Sequence, residues 1–295
     1  MDATKRFGNI MMGFIPIISG IGLQFLLSVP AVGIVLLYAM TSSNGRAADN
    51  PMEYYIDLVS DSQFSTSVCV LYALAVIAIF GFWYYKVFAK ESDQPVKKAF
   101  HPLMIPALIL AAVAWQYLAQ YIAVLTAALS PRSLDYYETL METAGFDDMS
   151  LLLILYAVIL GPICEELLFR GVTLGFAKRA MPFWLANTFQ AVLFGAFHMN
   201  VIQGVYAFFL GLVMGLICKK CGNIIFSMAF HILYNGWATF APDFMMYKAE
   251  EMPFFVIWLA VGILLAVLSA VIFSIAFRKH RKSAREIQEE VNFSN

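Results

Sequence analysis

Three short constellations hold nearly every side chain in this sequence that could do chemistry inside an apolar environment: Glu165-Glu166-x-x-x-Arg170, Phe194-x-x-x-His198 and His231-x-x-x-Asn235. On a helix, residues four apart share a face, so Glu166 and Arg170 form an ion pair with the acid N-terminal to the base, the better orientation. Glu165 points about 100° away and is left without a partner on its own helix, which makes it the acid available as a base. A carboxylate, two imidazoles and an amide in a water-filled cavity suit hydrolysis, by either of two routes. In one, Glu165 and His198 activate a water while His231 and Asn235 donate hydrogen bonds to a tetrahedral oxyanion. In the other, Glu165, His198 and His231 form a two-His-one-carboxylate set for Zn²⁺, whose bound water is acidified and for which Glu166 is the base. No His-Glu-x-x-His is present, and the spacing favours neither route outright.

The elements that must position these residues are membrane helices. Hydrophobic residues make up 61% of the 295-residue chain and charged residues 13%, where a soluble domain carries about 25% charged. No single water-soluble core hides that much apolar surface. Aromatic residues at 15% exclude disorder, and four cysteines exclude a disulfide scaffold. A net charge of −1 gives no reason to expect a nucleic-acid partner. Apolar stretches fall at 11–40, 66–89, 103–129, 150–177, 183–199, 201–218, 222–241 and 254–277, most of them near the roughly 20 residues that span a bilayer. The expected fold is therefore all-α, a polytopic membrane protein of eight transmembrane helices enclosing a polar cavity.

Charge placement supports eight crossings with both termini in the cytoplasm. Lys5, Arg6, Lys86, Lys90, Lys97, Lys98, Lys178, Arg179, Lys219, Lys220, Arg278, Lys279, Arg281 and Lys282 all fall at alternate ends of the spans. The other loops carry only Arg46, Arg132 and Lys248 as cations and are otherwise acidic, with Asp49, Glu53, Asp57, Asp61, Asp135, Glu138, Glu142, Asp147, Asp148, Asp243, Glu250 and Glu251. In a bacterium this places the chain in the plasma membrane.

Ionisable groups at a helix centre cost on the order of 2.5–3.5 kcal/mol each. Spans one, two, three and eight contain essentially none and read as scaffold. Counting inward at about 1.5 Å per residue puts Glu165, His198, His231 and Asn235 roughly 20, 24, 15 and 21 Å from one face, in a common layer. Gly161 and Pro162 predict a kink just before the acids. Cys218-Lys-Lys-Cys221 lacks the second pair that a zinc ribbon needs and reads as structural, as do Cys69 and Cys164. Gly204, Gly211 and Gly215 read as close helix packing, and Phe244, Met245 and Met246 as interfacial anchors.

The three motifs, in this order on membrane helices, resemble those of the CPBP (CAAX protease and bacteriocin-processing, formerly Abi) family of intramembrane endopeptidases, and Phe169-Arg170-Gly171 after the double acid strengthens the likeness. The resemblance covers roughly 150–240. It implies an eight-helix enzyme that cleaves a membrane-associated peptide, either a prenylated CAAX-type chain or a leader or signal peptide. Glu165 and His198 resemble the water-activating pair and His231 and Asn235 the oxyanion-binding pair, with zinc the candidate metal. Three segments follow: helices 1–3 over 1–149 with no recognised motif, a catalytic core over 150–245, and a last helix with a basic tail over 246–295. Two other functions compete. A catalytically silent scaffold or bacteriocin self-immunity protein of the same fold would not need all the motifs, and a proton-coupled transporter would show a two-fold hydropathy repeat that this sequence lacks.

Overall fold

A computed structural model describes residues 2–41, 50–92, 94–146, 149–241 and 254–293, and among them there is no strand. Arg46, Asp49, Asp147, Asp148, Asp243, Phe244, Met245, Met246, Lys248, Glu250 and Glu251 lie outside the described residues. Each apolar stretch of the sequence folds as a helix. We number these α1 (Ala3–Thr41), α2 (Ser62–Val87), α3 (Met104–Leu129), α4 (Leu151–Ala180), α5 (Phe183–Phe197), α6 (Val201–Cys221), α7 (Ile224–Phe240) and α8 (Phe254–Phe293). The chain is an all-α, polytopic membrane protein. Six of the eight helices are long and apolar enough to cross a bilayer. The other two, α5 with 15 residues and α7 with 17, reach only about 22 and 26 Å at 1.5 Å per residue, against a hydrocarbon core of about 30 Å. These two short helices carry the histidine motifs, so polar loops close to their ends reach membrane depth.

The loops between α1 and α2 and between α3 and α4 contain short helices, Pro51–Ser60 and Pro131–Thr143, each opened by a proline in its first turn, where the missing N–H costs nothing. Asp61 then caps α2, its Oδ1 accepting from Phe64 N at 2.6 Å.

Helix α4 occupies the middle of the bundle, in contact with α1, α2, α5 and α7. It is buried on all sides from Glu166 to Ala177. By contrast only 6% of the most apolar window of α1 and 11% of that of α8 is covered by protein. α3 packs along α8 and also meets α6 and α7. α5 and α6 form a hairpin whose backbones nearly touch. A Cβ on Gly195 would lie 2.5 Å from the Gly204 carbonyl oxygen, and one on Gly211 would lie 3.1 Å from Ala191. The expectation that Gly204, Gly211 and Gly215 serve close packing is met here, with Gly195 as the partner that completes it. Amide side chains seal the same contact: Asn187 Nδ2 donates to Leu212 O at 2.9 Å, and Gln190 Nε2 to Gly211 O at 2.9 Å.

The ends rich in Lys and Arg gather together. Arg6 Nε donates to Ala180 O at 3.1 Å, joining the start of α1 to the end of α4. Arg179 donates to Val87 O at 3.2 Å and pairs with Glu91 at 2.7 Å, joining α4 to the end of α2. Gln94 N donates to Gly222 O at 2.7 Å just past the end of α6.

Candidate active site

The acids stand on α4 at a change of helix geometry. The segment Gly161–Glu166 is α-helical, but wide π turns flank it at Tyr156–Leu160 and Leu167–Thr173. At Gly161-Pro162, where the sequence predicts a kink, the structure shows a change of hydrogen-bond register. The Gly161 N–H reaches back five residues to Tyr156 O, and Pro162 has no N–H to give. The Ala157 carbonyl between them is left without a helical donor. Asn235 of α7 supplies it, Nδ2 donating to Ala157 O at 2.8 Å. An intramembrane carbonyl must be satisfied by something, and here a side chain of a neighbouring helix does it.

Adjacent in sequence, the two glutamates have opposite surroundings. Glu166 is fully buried and both its carboxylate oxygens are engaged: Oε1 accepts from Arg170 Nη1 at 2.8 Å and from His231 Nδ1 at 3.1 Å, and Oε2 accepts from Ser227 Oγ. Arg170 is 2% exposed, so this is the desolvated i,i+4 ion pair read from the sequence. The Glu165 side chain is 21% exposed, lies 3.7 Å from His231 Nε2 and takes no hydrogen bond among the described residues. His231, 3% exposed, therefore stands between the two acids with one ring nitrogen toward each. An imidazole beside a carboxylate donates to it, so the Nδ1–H bond to Glu166 fixes the ring and aims Nε2 at Glu165.

His198 terminates α5. Its backbone N–H bonds to Gly195 O at 3.3 Å, and its Nδ1 donates to Phe194 O at 2.9 Å, leaving Nε2 as the acceptor nitrogen of the neutral ring. Met199 follows in the left-handed region at φ 54°, a turn that a non-glycine residue adopts only when its surroundings impose it. Asn200 imposes it from both sides: Nδ2 donates to His198 O at 3.2 Å while Oδ1 caps α6 by accepting from Gln203 N at 2.7 Å. The ring of Phe194 connects the motifs. Its centroid lies 4.9 Å from that of His198 and 6.0 Å from that of His231, both edge-on, and the Arg170 guanidinium stacks 4.2 Å above it.

Of the residues singled out in the sequence, the structure brings Glu165, Glu166, Arg170 and His231 into one cluster and sets His198 against it across Phe194. Asn235 instead engages the backbone of α4. Ser227 and Asn200 had not been singled out. Ser227 was legible as the first of three polar residues, with His231 and Asn235, spaced four apart on α7. Among the described residues no group of three or more His, Cys, Asp or Glu side chains is placed so as to hold a metal ion; Glu165 and Glu166 flank His231 itself. Both histidines hold their Nδ1 on protein acceptors.

Residues 147–237 match the family described as Type II CAAX prenyl endopeptidase Rce1-like. That segment is about a third of the 295 residues and contains every motif residue. Over it the chain is similar to the CAAX-type membrane proteases whose motifs it resembles, while α1, α2, α3 and α8 lie outside the match. No curated protein and no solved structure matches the chain.

Proposed function

We propose that this protein is an intramembrane endopeptidase hydrolysing a peptide bond of a membrane-associated peptide, with Glu165 as the general base. One observation carries the reading: of two adjacent glutamates on this helix, Glu166 is fully buried with three donors on its carboxylate, whereas Glu165 is partly exposed and takes no hydrogen bond among the described residues. A fully buried carboxylate paired with Arg170 and holding three donors is out of reach of water. Glu165, partly exposed and facing an oriented imidazole, can accept a water proton.

The chemistry follows from the donor and acceptor states. A water held between Glu165 and the acceptor Nε2 of His198 gives its proton to Glu165, and its oxygen adds to the scissile carbonyl carbon. The oxyanion accepts from His231 Nε2–H when that ring is doubly protonated, and from the second N–H of the Asn235 amide, the first being used on Ala157. Collapse breaks the C–N bond, and the proton held by Glu165 passes to the leaving amine nitrogen. Glu166, Arg170, Ser227 and Phe194 position His231 without touching substrate. The family match points to a CAAX-type prenylated C-terminus as the first substrate to try.

The test is cleavage of a farnesylated CAAX peptide, and of its unprenylated counterpart, by purified protein and by Glu165→Gln. Loss of about 10²–10⁴-fold in rate is expected, the usual contribution of a general base, with the melting temperature unchanged. Undiminished cleavage by Glu165→Gln would remove Glu165 from the reaction. Cleavage of the unprenylated peptide alone would redirect the substrate class to leader-type peptides.

A further inference from the structure

The end of the bundle where the cations gather holds a small cavity of about 120 Å³ lined by Tyr84, Arg170, Leu174, Lys178, Phe183, Cys218, Lys219 and Gly222. Four helices contribute: the end of α2, the second half of α4, the start of α5 and the end of α6. Three of the lining residues are cations and none is an acid. Pockets for drug-sized ligands run to about 300–1,000 Å³, so the space suits an inorganic-sized group and not a peptide.

Its inner wall is the most informative part. Arg170 is 2% exposed and spends Nη1 on Glu166, yet its Nε and Nη2 are buried with no hydrogen-bond partner. A guanidinium is planar with five fixed N–H donors, and stacking on Phe194 satisfies only its face. Leaving charged donors unmet in a dry interior is costly. The Nε/Nη2 edge is also the geometry that grips two oxygens of a carboxylate or phosphate at once. At the outer rim, Lys178 and Lys219 are exposed, and Lys219 is held over the rings of Phe183 at 4.0 Å and Trp184 at 5.6 Å. Trp184 is 63% exposed. An exposed tryptophan beside lysines at the end of a span is the arrangement found at the level of lipid head groups.

From this we propose that the cavity binds a phosphate-type oxyanion, the head group of an anionic lipid or a free phosphate ion, gripped by Arg170 Nε and Nη2 at its base and by Lys178 and Lys219 at its mouth. The site is separate from the peptide-cleaving cluster but shares Arg170 with it. An oxyanion on the far edge of the guanidinium holds Nη1 on Glu166, and through Glu166 it holds His231. Occupancy would therefore tighten the geometry that the proposed reaction uses, but binding itself does not depend on that reading of the function.

The experiment measures thermal stability of the purified full chain in a neutral detergent. It compares inorganic phosphate, short-chain phosphatidic acid and short-chain phosphatidylcholine with sodium chloride at matched ionic strength. A saturable rise in Tm of roughly 5 °C at a hundredfold excess over Kd is expected with phosphatidic acid, with phosphate or with both. A rise with phosphatidic acid alone assigns the site to a lipid head group, and a rise with phosphate assigns it to the free ion as well. The double variant Lys178→Gln/Lys219→Gln should lose the rise. Lys86→Gln/Lys220→Gln, which removes two cations near the same end but outside the cavity, should keep it. No rise above sodium chloride, or a rise lost equally in both double variants, overturns the proposal whatever the peptidase assays show.

Discussion

Helices α4 and α8 are made from the same kind of sequence, long and apolar, yet one is the centre of the molecule and the other its margin. In α4, 44% of the most apolar window is covered by protein; in α8, 11%. Apolarity cannot produce that difference, because lipid tails are as apolar as leucine and offer no hydrophobic reason to pack helix on helix. What sets α4 apart is its polar content. Glu166 and Arg170 on α4 and Ser227 and His231 on α7 find in one another the partners that lipid cannot supply, Asn235 of α7 bonds to the α4 backbone, and the amides of α5 bond to the α6 backbone. α8 has little of this, though Ser269 Oγ donates to Ala107 O on α3 at 2.8 Å. The centre of the fold is thus where unsatisfied polar groups would be most expensive.

The largest loss should come from removing the partner that Arg170 needs. Glu166→Ala leaves a guanidinium at 0% side-chain exposure without its carboxylate. It should cost about 3–5 kcal/mol, seen as a large fall in Tm and in yield of extractable protein. Adding Arg170→Ala should recover part of that loss, since no charge then remains uncompensated. Next in size is the α5–α6 contact: Gly195→Ala drives a methyl to 2.5 Å from the Gly204 carbonyl. Overpacking of this kind costs about 1–3 kcal/mol. Because His198 follows three residues later, cleavage should fall further than stability does in the same samples.

Much of this fold is legible in the sequence alone. The eight helices were visible as apolar stretches, and the ionisable site residues stood out because such groups are rare in spans. The split between the glutamates followed from i,i+4 spacing alone. What stayed hidden shares a physical cause. Asn187, Gln190, Asn200 and Ser227 are uncharged, common in apolar sequence, and bonded to groups distant along the chain or to a backbone turn, so no local pattern announces them. The π turns of α4 change the register by one residue, which a periodicity of 3.6 over a single turn does not resolve. The common layer was read from rise per residue, which gives depth but not direction, and so did not reveal that Asn235 bonds to Ala157. The Met199 turn escaped because a residue with φ 54° is ordinarily glycine or asparagine.

The Asn235 contact can be tested as a coupling. If its amide serves the carbonyl that Pro162 leaves without a donor, Asn235→Ala should cost about 1–2 kcal/mol, the upper range for interhelical hydrogen bonds in membranes. In a Pro162→Ala background the new N–H can reach Ala157 O in the five-residue register, and the cost of Asn235→Ala should shrink toward zero. A double-mutant cycle on Tm measures the difference. Equal costs in both backgrounds would separate Asn235 from the backbone of α4 and leave its stability role unexplained by Pro162.

The smallest expected effect bears on the comparison most cleanly. Leu168 on α4 is fully buried, and Leu264 on α8 is 66% exposed. In water both would lose transfer energy on truncation to alanine. In a bilayer the transfer contribution vanishes for both, because lipid solvates the methyl groups as well as protein does, and only the cavity remains. Leu168→Ala opens a cavity that α1, α2 and α5 must collapse to fill, at about 2 kcal/mol. Leu264→Ala opens nothing, because acyl chains follow the surface, and its Tm should stay within about 0.5 kcal/mol of the parent. If Leu264→Ala were as damaging as Leu168→Ala, α8 would be packed against something other than lipid, and the contrast between centre and margin would have to be redrawn around that contact.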